Sequence, residues 1–524
     1  MPHASAEELE PNLLLPFEQG WPSPAPTARA QALDWRPPRD GVEVRPLALA
    51  GERGGQFDMR KFSGWLRDAD VIDQGPIELS GATVTLPHGM RLMRRFDTIV
   101  RRVYEDQGYE EYDYPLLVPS AVLEPTRKIM SLDNALLYVG DDEDWRTNRK
   151  HMVLTPTGEG AVYTHWSRKV RSRADLPLRT YRRTRYFRPS RSGRSVFRAI
   201  EAMDVYEFQA CFADRPAAQQ GFTAAVGMAR QLCSEMHIPV LWGTRPPWTN
   251  NAGVSDVTIG GDVPLPHGST IQVGSVYQQG RRFSELYDVG YRDGADRHYT
   301  HHVTGALTRR LVLVNLMLGM SADGELLLHP DLAPVQVGLT LSGGDAQERA
   351  DALELVRRLE GLGVRGDLRL CDDRREVGRV QAAWRRQGMP LRIYLQARRN
   401  QGDLTRAVVV RADTRHEAVL LAENVSTLAH LVPPALDEVA TGYLRRAGQF
   451  VRGQCRTADK STVRDVLATR GVAVVPLLAT EEAVTTVSSW GLGEVLGLCR
   501  TAEPDDCVVT GKPTFTRAYI SPRR

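Results

Sequence analysis

From Met90 to Tyr104 the apolar residues Leu92, Met93, Phe96, Ile99, Val100 and Val103 recur on one face at helical spacing, and Gly108 follows as a stop. An amphipathic helix is predicted there. It leads into Tyr114, Leu116, Leu117 and Val118 around Pro115, a short extended run that proline confines to a sheet edge or strand start. Residues 179–187 and 201–212 read as two strands joined by the loop 188–198, which carries Pro189, Ser190, Ser192 and Gly193. Beyond Pro330 the texture changes. Strands are predicted at 335–341, 391–395 and 408–410, with amphipathic helices at 345–362 and 417–431, so an α/β unit with a partly parallel sheet is expected. A further helix, 436–452, follows the breakers Pro433 and Pro434. Residues 1–55 are rich in Pro, Ala and Gly and show no sustained periodicity, which predicts an irregular extension.

With 524 residues, the chain has room for three or four domains at roughly 150 residues each. Hydrophobic residues make up 42% and charged residues 25%, an ordinary globular balance, and no run approaches the roughly 20 apolar residues of a membrane helix. Glu7, Glu8 and Glu10 stand where a secretory signal needs basic residues, so the expected location is cytoplasmic. The six cysteines lack CxxC spacing and are too sparse for a disulfide framework, which agrees with a reducing compartment. Net charge is only +3, yet arginine crowds between Arg168 and Arg198. A solvated face and a phosphate-binding surface explain that crowding equally well at this point.

Several ordered blocks stand out along the chain: Leu86-Pro87-His88-Gly89, the stretch 112–119, Thr155-Pro156-Thr157-Gly158-Glu159, Asp175-Leu176-Pro177-Leu178 leading to Arg188, and Gln272-Val273-Gly274. Thr308-Arg309, the stretch 332–337, Gly388-Met389-Pro390 and Gly511-Lys512-Pro513 with Ala518-Tyr519 continue the series. In this order they resemble class II aminoacyl-tRNA synthetases, specifically the prolyl-tRNA synthetase type of archaea and eukaryotes. The resemblance implies an α+β class II synthetase catalytic domain, an antiparallel sheet with flanking helices, over 56–330. An α/β anticodon-binding domain (331–432) and a small α/β C-terminal domain (433–524) follow it.

Activating an amino acid means attack of its carboxylate on the α-phosphate of ATP, so charge on phosphate must be neutralised and the nucleophile held in line. By the resemblance, Arg188 meets the α-phosphate and Arg309 reaches the γ-phosphate and covers the adenine, and these two are the expected catalytic residues. Arg198, Glu201 and Gln272 complete the ATP site, with Mg²⁺ held largely by phosphate and water. Thr157 and Glu159 face the amino acid, Glu159 being suited to an ammonium or imino nitrogen.

The pattern also departs from the family. An acidic residue expected two positions after Arg188 is Ser190, and the adenine-stacking phenylalanine is Ala202, with Phe197 offered in its place. In the amino-acid pocket the family's glutamate and histidine positions are read as Tyr206 and Phe208, its Thr-Ser-His as Ser275-Val276-Tyr277, and its Ser-Trp-Gly as Val303-Thr304-Gly305. Such swaps alter shape and hydrogen-bond pairing together, so proline is not assumed as the substrate. The C-terminal segment has only Cys499 and Cys507 where the family's zinc needs about four ligands; no structural zinc or other metal site is expected.

The expected partners are tRNA, an amino acid and a second copy of the chain, with the first motif at the dimer interface. Arg374, Arg375, Arg379, Arg385 and Arg386 lie around a predicted helix and are the expected tRNA contacts. The functional expectation is ATP-dependent amino-acid activation with transfer to tRNA. Two alternatives stay open: a paralogue that supplies activated amino acid to a biosynthetic pathway, and a tRNA-binding pseudoenzyme.

Overall fold

The computed structural model describes residues 14–16, 42–46, 57–74, 83–130, 132, 136–147, 149, 151–188, 196–198, 203–248, 253–397, 405–415, 417–422 and 428–523. The predicted first-motif helix spans Pro87–Asp106 and buries Leu92, Met93, Phe96, Val100 and Val103. It starts earlier than the apolar stripe because Pro87 occupies its first turn, where a missing N–H costs nothing. Gly108, just past its end, adopts φ 75°, a left-handed conformation that glycine takes without strain. Downstream, Leu117–Pro119 is an edge strand of a small three-stranded sheet, as Pro115 suggests.

The central sheet runs, in spatial order, through Glu110–Glu111, Leu178–Tyr186, Met203–Phe212, His301–Thr308, Thr270–Gly280, Val257–Pro264 and Leu241–Thr244. All pairings among these strands are antiparallel except the first. The helices Pro87–Asp106 and Arg215–Glu235 contribute to one core with Tyr206, Phe208, Ala210 and Phe212. Cys211, on the opposite face, joins a second core with Tyr163, Trp166, Phe283 and Tyr287. Alternation along a single strand therefore divides its side chains between two environments.

The six-stranded sheet runs Gly366–Cys371, Val337–Ser342, Leu391–Gln396, Thr405–Arg411, Glu417–Ala422, Val42–Pro46. Its first three strands are parallel and the rest antiparallel, which is the mixed sheet expected after Pro330. The helix Ala346–Gly361 carries a capping box between Asp345 and Glu348.

Two expectations fail here. The helix predicted at 417–431 is instead the strand Glu417–Ala422, hydrogen-bonded on both sides by Thr405–Arg411 and Val42–Pro46, followed by helical residues only from 428. A tight connection with Arg415 at φ 57° folds it back on its neighbour, and sheet partners on both sides override the helical spacing. The extension 1–55 is not wholly irregular: Leu15–Pro16 pairs with Cys499–Arg500, and Val42–Pro46 closes the edge of the six-stranded sheet. The last long helix spans Val432–Gln454, with Pro433 and Pro434 inside its first turn rather than before it.

The C-terminal strands extend the central sheet. Gly493–Asp506 meets Leu241–Thr244 through the pair Thr244 and Leu498. Gly243 and Gly497 make this join close, since a Cβ on Gly497 would lie 2.9 Å from the Gly243 Cα. Among the described residues no helix is long and apolar enough to cross a membrane. Gly497→Val should force the two strands apart and destabilise the protein by about 1–3 kcal/mol, read from the urea midpoint; an unchanged midpoint would show that the join is slack.

Candidate active site

Strand alternation builds the floor of a cavity of ≈ 280 Å³ on the face opposite the first-motif helix. Val205 and Glu207 point into it from Met203–Phe212. Directly across the strand pair from Glu207 stands Arg182. Its Nε and Nη2 donate to the Glu207 carboxylate at 3.0 and 2.7 Å, and the Tyr186 hydroxyl donates to the same oxygen. The side chains of Arg182 and Glu207 are only 3% and 7% exposed. Burial works against the Arg182 charge, but Tyr186 and Glu207 outweigh it and raise its pKa. Gly158 lies against this group, and a side chain there would run into Arg182, Glu207 and Tyr186.

Above the floor, the helix Glu159–Lys169 begins at the cavity wall. Its first residue, Glu159, is buried and accepts a hydrogen bond from the Thr157 hydroxyl. Burial pushes the Glu159 pKa up and nearby Glu207 adds to the rise, while Thr157 and Arg188 pull the other way. Arg188 lines the cavity, with its Nε donating to the Pro156 carbonyl at 2.8 Å. The neighbouring strands of the sheet contribute Gln272, Ser275, Tyr277 and Gly305, and the Ser275 hydroxyl donates to the Tyr277 oxygen at 2.9 Å. One cavity thus gathers Thr157, Glu159, Arg188, Gln272, Ser275, Tyr277 and Gly305 from the expected set.

Other expectations are corrected. Tyr206 and Phe208 do not line the cavity. Phe208 packs edge-on to Tyr104 and Tyr109 in the core behind the sheet, and the Tyr206 hydroxyl donates to Asp97 at 2.6 Å on the first-motif helix. The residues of this strand that face the cavity are one position out of step with the expectation: Val205 and Glu207 line it. At the third motif Arg310, rather than Arg309, lines the cavity, held by the carbonyls of Phe197 at 3.1 Å and Gln272 at 3.2 Å. Arg309 instead donates to the Thr83 hydroxyl at 2.9 Å. Phe197 is buried and stacked on Phe62 at 5.7 Å, so its ring is not offered to an adenine. Glu201, Ser190, Ala202 and the Arg198 side chain lie outside the described residues. Arg182, Val205, Glu207 and Arg310 were missed; the period-two pattern that sets Arg182 opposite Glu207 was the available signal.

The helix Arg374–Arg386 buries Val377 and Trp384 and leaves Arg374, Arg375, Arg379, Arg385 and Arg386 exposed. Arg375, Arg379 and Arg386 fall within about 40° of one another around its axis, while Arg385 also pairs with Glu325 at 3.2 Å. Cys499 and Cys507 belong to different cores. Among the described residues His237, His329 and Asp331 bring possible ligand atoms within 4.8 Å of one another. The two imidazoles, however, lie face to face with centroids 3.4 Å apart, and His237 is within 3.2 Å of the Asp331 carboxylate. Two imidazoles on one ion splay apart, so this is a stacked, hydrogen-bonded pair rather than a formed metal centre.

No family model matches the sequence. It is 26% identical over 476 residues to the proline–tRNA ligase of Methanosarcina mazei, covering 88% of this chain and 96% of that one. With the proline–tRNA ligase of Methanothermobacter thermautotrophicus it shares 29% over 473 residues, covering 87% and 94%. Among solved structures it matches prolyl-tRNA synthetase of Cryptosporidium parvum, complexed with L-proline and AMP, at a TM-score of 0.77 and 19% identity over 91% and 97% of the two chains. The Giardia lamblia enzyme in complex with prolyl-adenylate gives 0.76 and 18% over 90% and 99%. Along most of its length the chain is similar to archaeal proline–tRNA ligases, and it has the fold of the class II prolyl-tRNA synthetases. Its large antiparallel sheet with flanking helices is the class II catalytic architecture expected from the sequence blocks.

Two outcomes test the geometry of this prolyl-tRNA synthetase-like site. Phe208→Ala should cost about 3–5 kcal/mol of stability, as an aromatic lost from a sealed core does, measured by urea denaturation. A stable variant with altered substrate choice would restore Phe208 to the cavity. Because the folded chain holds the Glu159 proton more tightly than the unfolded chain does, stability is favoured below the ordinary glutamate pKa of about 4.3 and is lost as pH rises through the folded value. Glu159→Gln should therefore be more stable than the parent at pH 7. That advantage should close on acidification; melting curves that never differ would contradict it.

Proposed function

We propose that this chain activates an amino acid with ATP and transfers it to tRNA. The observation that carries the proposal is the convergence in one cavity of Arg188 with the carboxylates of Glu159 and Glu207. Glu207 is already matched by Arg182, which leaves Glu159 as the carboxylate for a substrate ammonium or imino group. Such a cation relieves the burial that raises the Glu159 pKa. Arg188 holds the α-phosphate, so that an oxygen of the substrate carboxylate forms a bond to its phosphorus as the bond to departing pyrophosphate breaks. Arg310 supplies a second guanidinium on the nucleotide side of the wall. Mg²⁺ brought with ATP would help neutralise the remaining phosphate charge, and the residues of this cavity need not supply a cage for it.

The exposed arginine stripe at 375, 379 and 386 supports tRNA binding by the second domain, through phosphate contacts that weaken as salt rises. Leu116 and Leu117, large apolar residues left 40% and 41% exposed at the first motif, support its pairing with a second copy of the chain. All six cysteines are free, in keeping with work in the cytoplasm. A second reading, delivery of the activated amino acid to a biosynthetic product, draws on the cavity lining, where Tyr277 stands at a position that the resemblance gives to a histidine.

The test is amino-acid-dependent exchange of pyrophosphate into ATP, followed by a tRNA-charging assay. Arg188→Ala should lower exchange at least about a hundredfold, since it removes a charge-assisted contact to the reacting phosphate. Exchange with charging supports the tRNA reading, and exchange without charging supports the biosynthetic one. Absence of exchange with every standard amino acid, with or without tRNA, would refute activation.

A further inference from the structure

Alternation along the strand Thr270–Gly280 sends Val276 into the core behind the sheet and sets Ser275, Tyr277 and Gln279 along the cavity. Tyr277 stands in register between Thr258 on one neighbouring strand and Thr304 on the other. Both threonine hydroxyls are engaged elsewhere, Thr258 with Ser255 at 2.7 Å and Thr304 with the Phe208 carbonyl at 3.0 Å. The Ser275 hydroxyl donates to the Tyr277 oxygen at 2.9 Å, so one lone pair of the phenol is taken and its proton is turned away from Ser275. Burial raises the Tyr277 pKa, the Ser275 hydrogen bond and the Arg245 charge pull it back, and Glu159 and Arg188 act on it with opposite signs. The phenol keeps its proton at neutral pH.

In the activation reading, on which this inference rests, Glu159 takes the substrate nitrogen and Arg188 the α-phosphate. The substrate carboxylate lies between those two points, since it is joined to the nitrogen through one carbon and one of its oxygens attacks the phosphorus. A carboxylate entering beside the carboxylates of Glu159 and Glu207 needs donors, and Arg182 is already committed to Glu207. The hydroxyls of Thr157, Tyr186, Ser275 and Thr304, which also line the cavity, donate to protein acceptors. Tyr277 lines the same cavity within the field of both Glu159 and Arg188. We propose that the Tyr277 hydroxyl donates a hydrogen bond to the non-attacking oxygen of the substrate carboxylate and so positions the nucleophile. The other oxygen forms its bond to phosphorus as the bond to pyrophosphate breaks, and the phenol proton stays on Tyr277 throughout. Ser275 acts through Tyr277 as a positioning residue, by fixing the direction of that proton.

Titration calorimetry on the full chain, with a non-hydrolysable ATP analogue present, tests this with two probes. One is the amino acid that ranks first in pyrophosphate exchange, or proline if none exchanges; the other is the matching amino alcohol, in which a primary alcohol replaces the carboxylate. Tyr277→Phe keeps the ring and removes the donor. It should weaken the amino acid about tenfold or more, as loss of a hydrogen bond to a charged group does, and change the alcohol and the ATP analogue by less than about threefold. Ser275→Ala should act in the same direction by a smaller factor. Melting curves establish that both variants are folded, and in exchange the KM for the amino acid should rise while the KM for ATP holds. An amino acid bound equally by the parent and Tyr277→Phe, an alcohol or ATP analogue weakened as much as the amino acid, or no binding of either probe would overturn the inference. The two proposals fail separately. Binding that depends on Tyr277 without any exchange removes activation and keeps the contact, whereas exchange with an unmoved amino-acid KM in Tyr277→Phe keeps activation and removes the contact.

Discussion

The cavity depends on one buried ion pair. Arg182 and Glu207 face each other across two antiparallel strands, with Tyr186 donating to the same carboxylate. Two charges withdrawn from water are tolerable only while each satisfies the other, and removing one partner strands the survivor. That requirement fixes the strand register. With 207 facing the cavity, 205 faces it too, and 206 and 208 must enter the core behind, where Phe208 meets Tyr104 and Tyr206 reaches Asp97. The same pair sets the approach of the helix at Glu159, because Gly158 lies against it with no room for a side chain.

Neutralising Glu207 from within also divides the labour between the two carboxylates. Glu159 has the Thr157 hydroxyl, its own backbone N–H and the Arg188 charge to offset its burial, and these leave its pKa raised; in the proposed reading a cationic substrate completes it. Glu207 belongs to the scaffold. Around them the sheet extends from the strands that floor the cavity into the C-terminal segment through the glycine pair 243 and 497, so the cavity sits on a continuous hydrogen-bonded structure. Such placement on strands rather than loops holds the site's geometry within narrow limits.

Much of this was legible in the sequence, and the misses have physical causes. The helix at Pro87–Asp106 was visible because one face is apolar over its whole length, and the family resemblance of the sequence blocks pointed to Thr157, Glu159, Arg188 and Gln272, which line one cavity. Tyr206 and Phe208 were misplaced because a one-residue slip in a strand exchanges its two faces, and both faces here are buried, so hydropathy does not reveal which is which. Arg309 and Arg310 are adjacent, and only the start of the following helix decides which guanidinium turns to the cavity. The strand Glu417–Ala422 was read as helix because its apolar residues fit either period, and only its two sheet neighbours settle the choice. One of those neighbours comes from residues 42–46, nearly four hundred positions away in the chain.

The unfolding free energy of Arg182→Met in urea tests the dependence on this pair most directly. A methionine of similar reach keeps the packing and strands the Glu207 carboxylate, so a loss of about 3–5 kcal/mol is expected. A loss below about 1 kcal/mol, the worth of an ordinary surface ion pair, would contradict the claim that this interaction sets the strand register and the cavity floor.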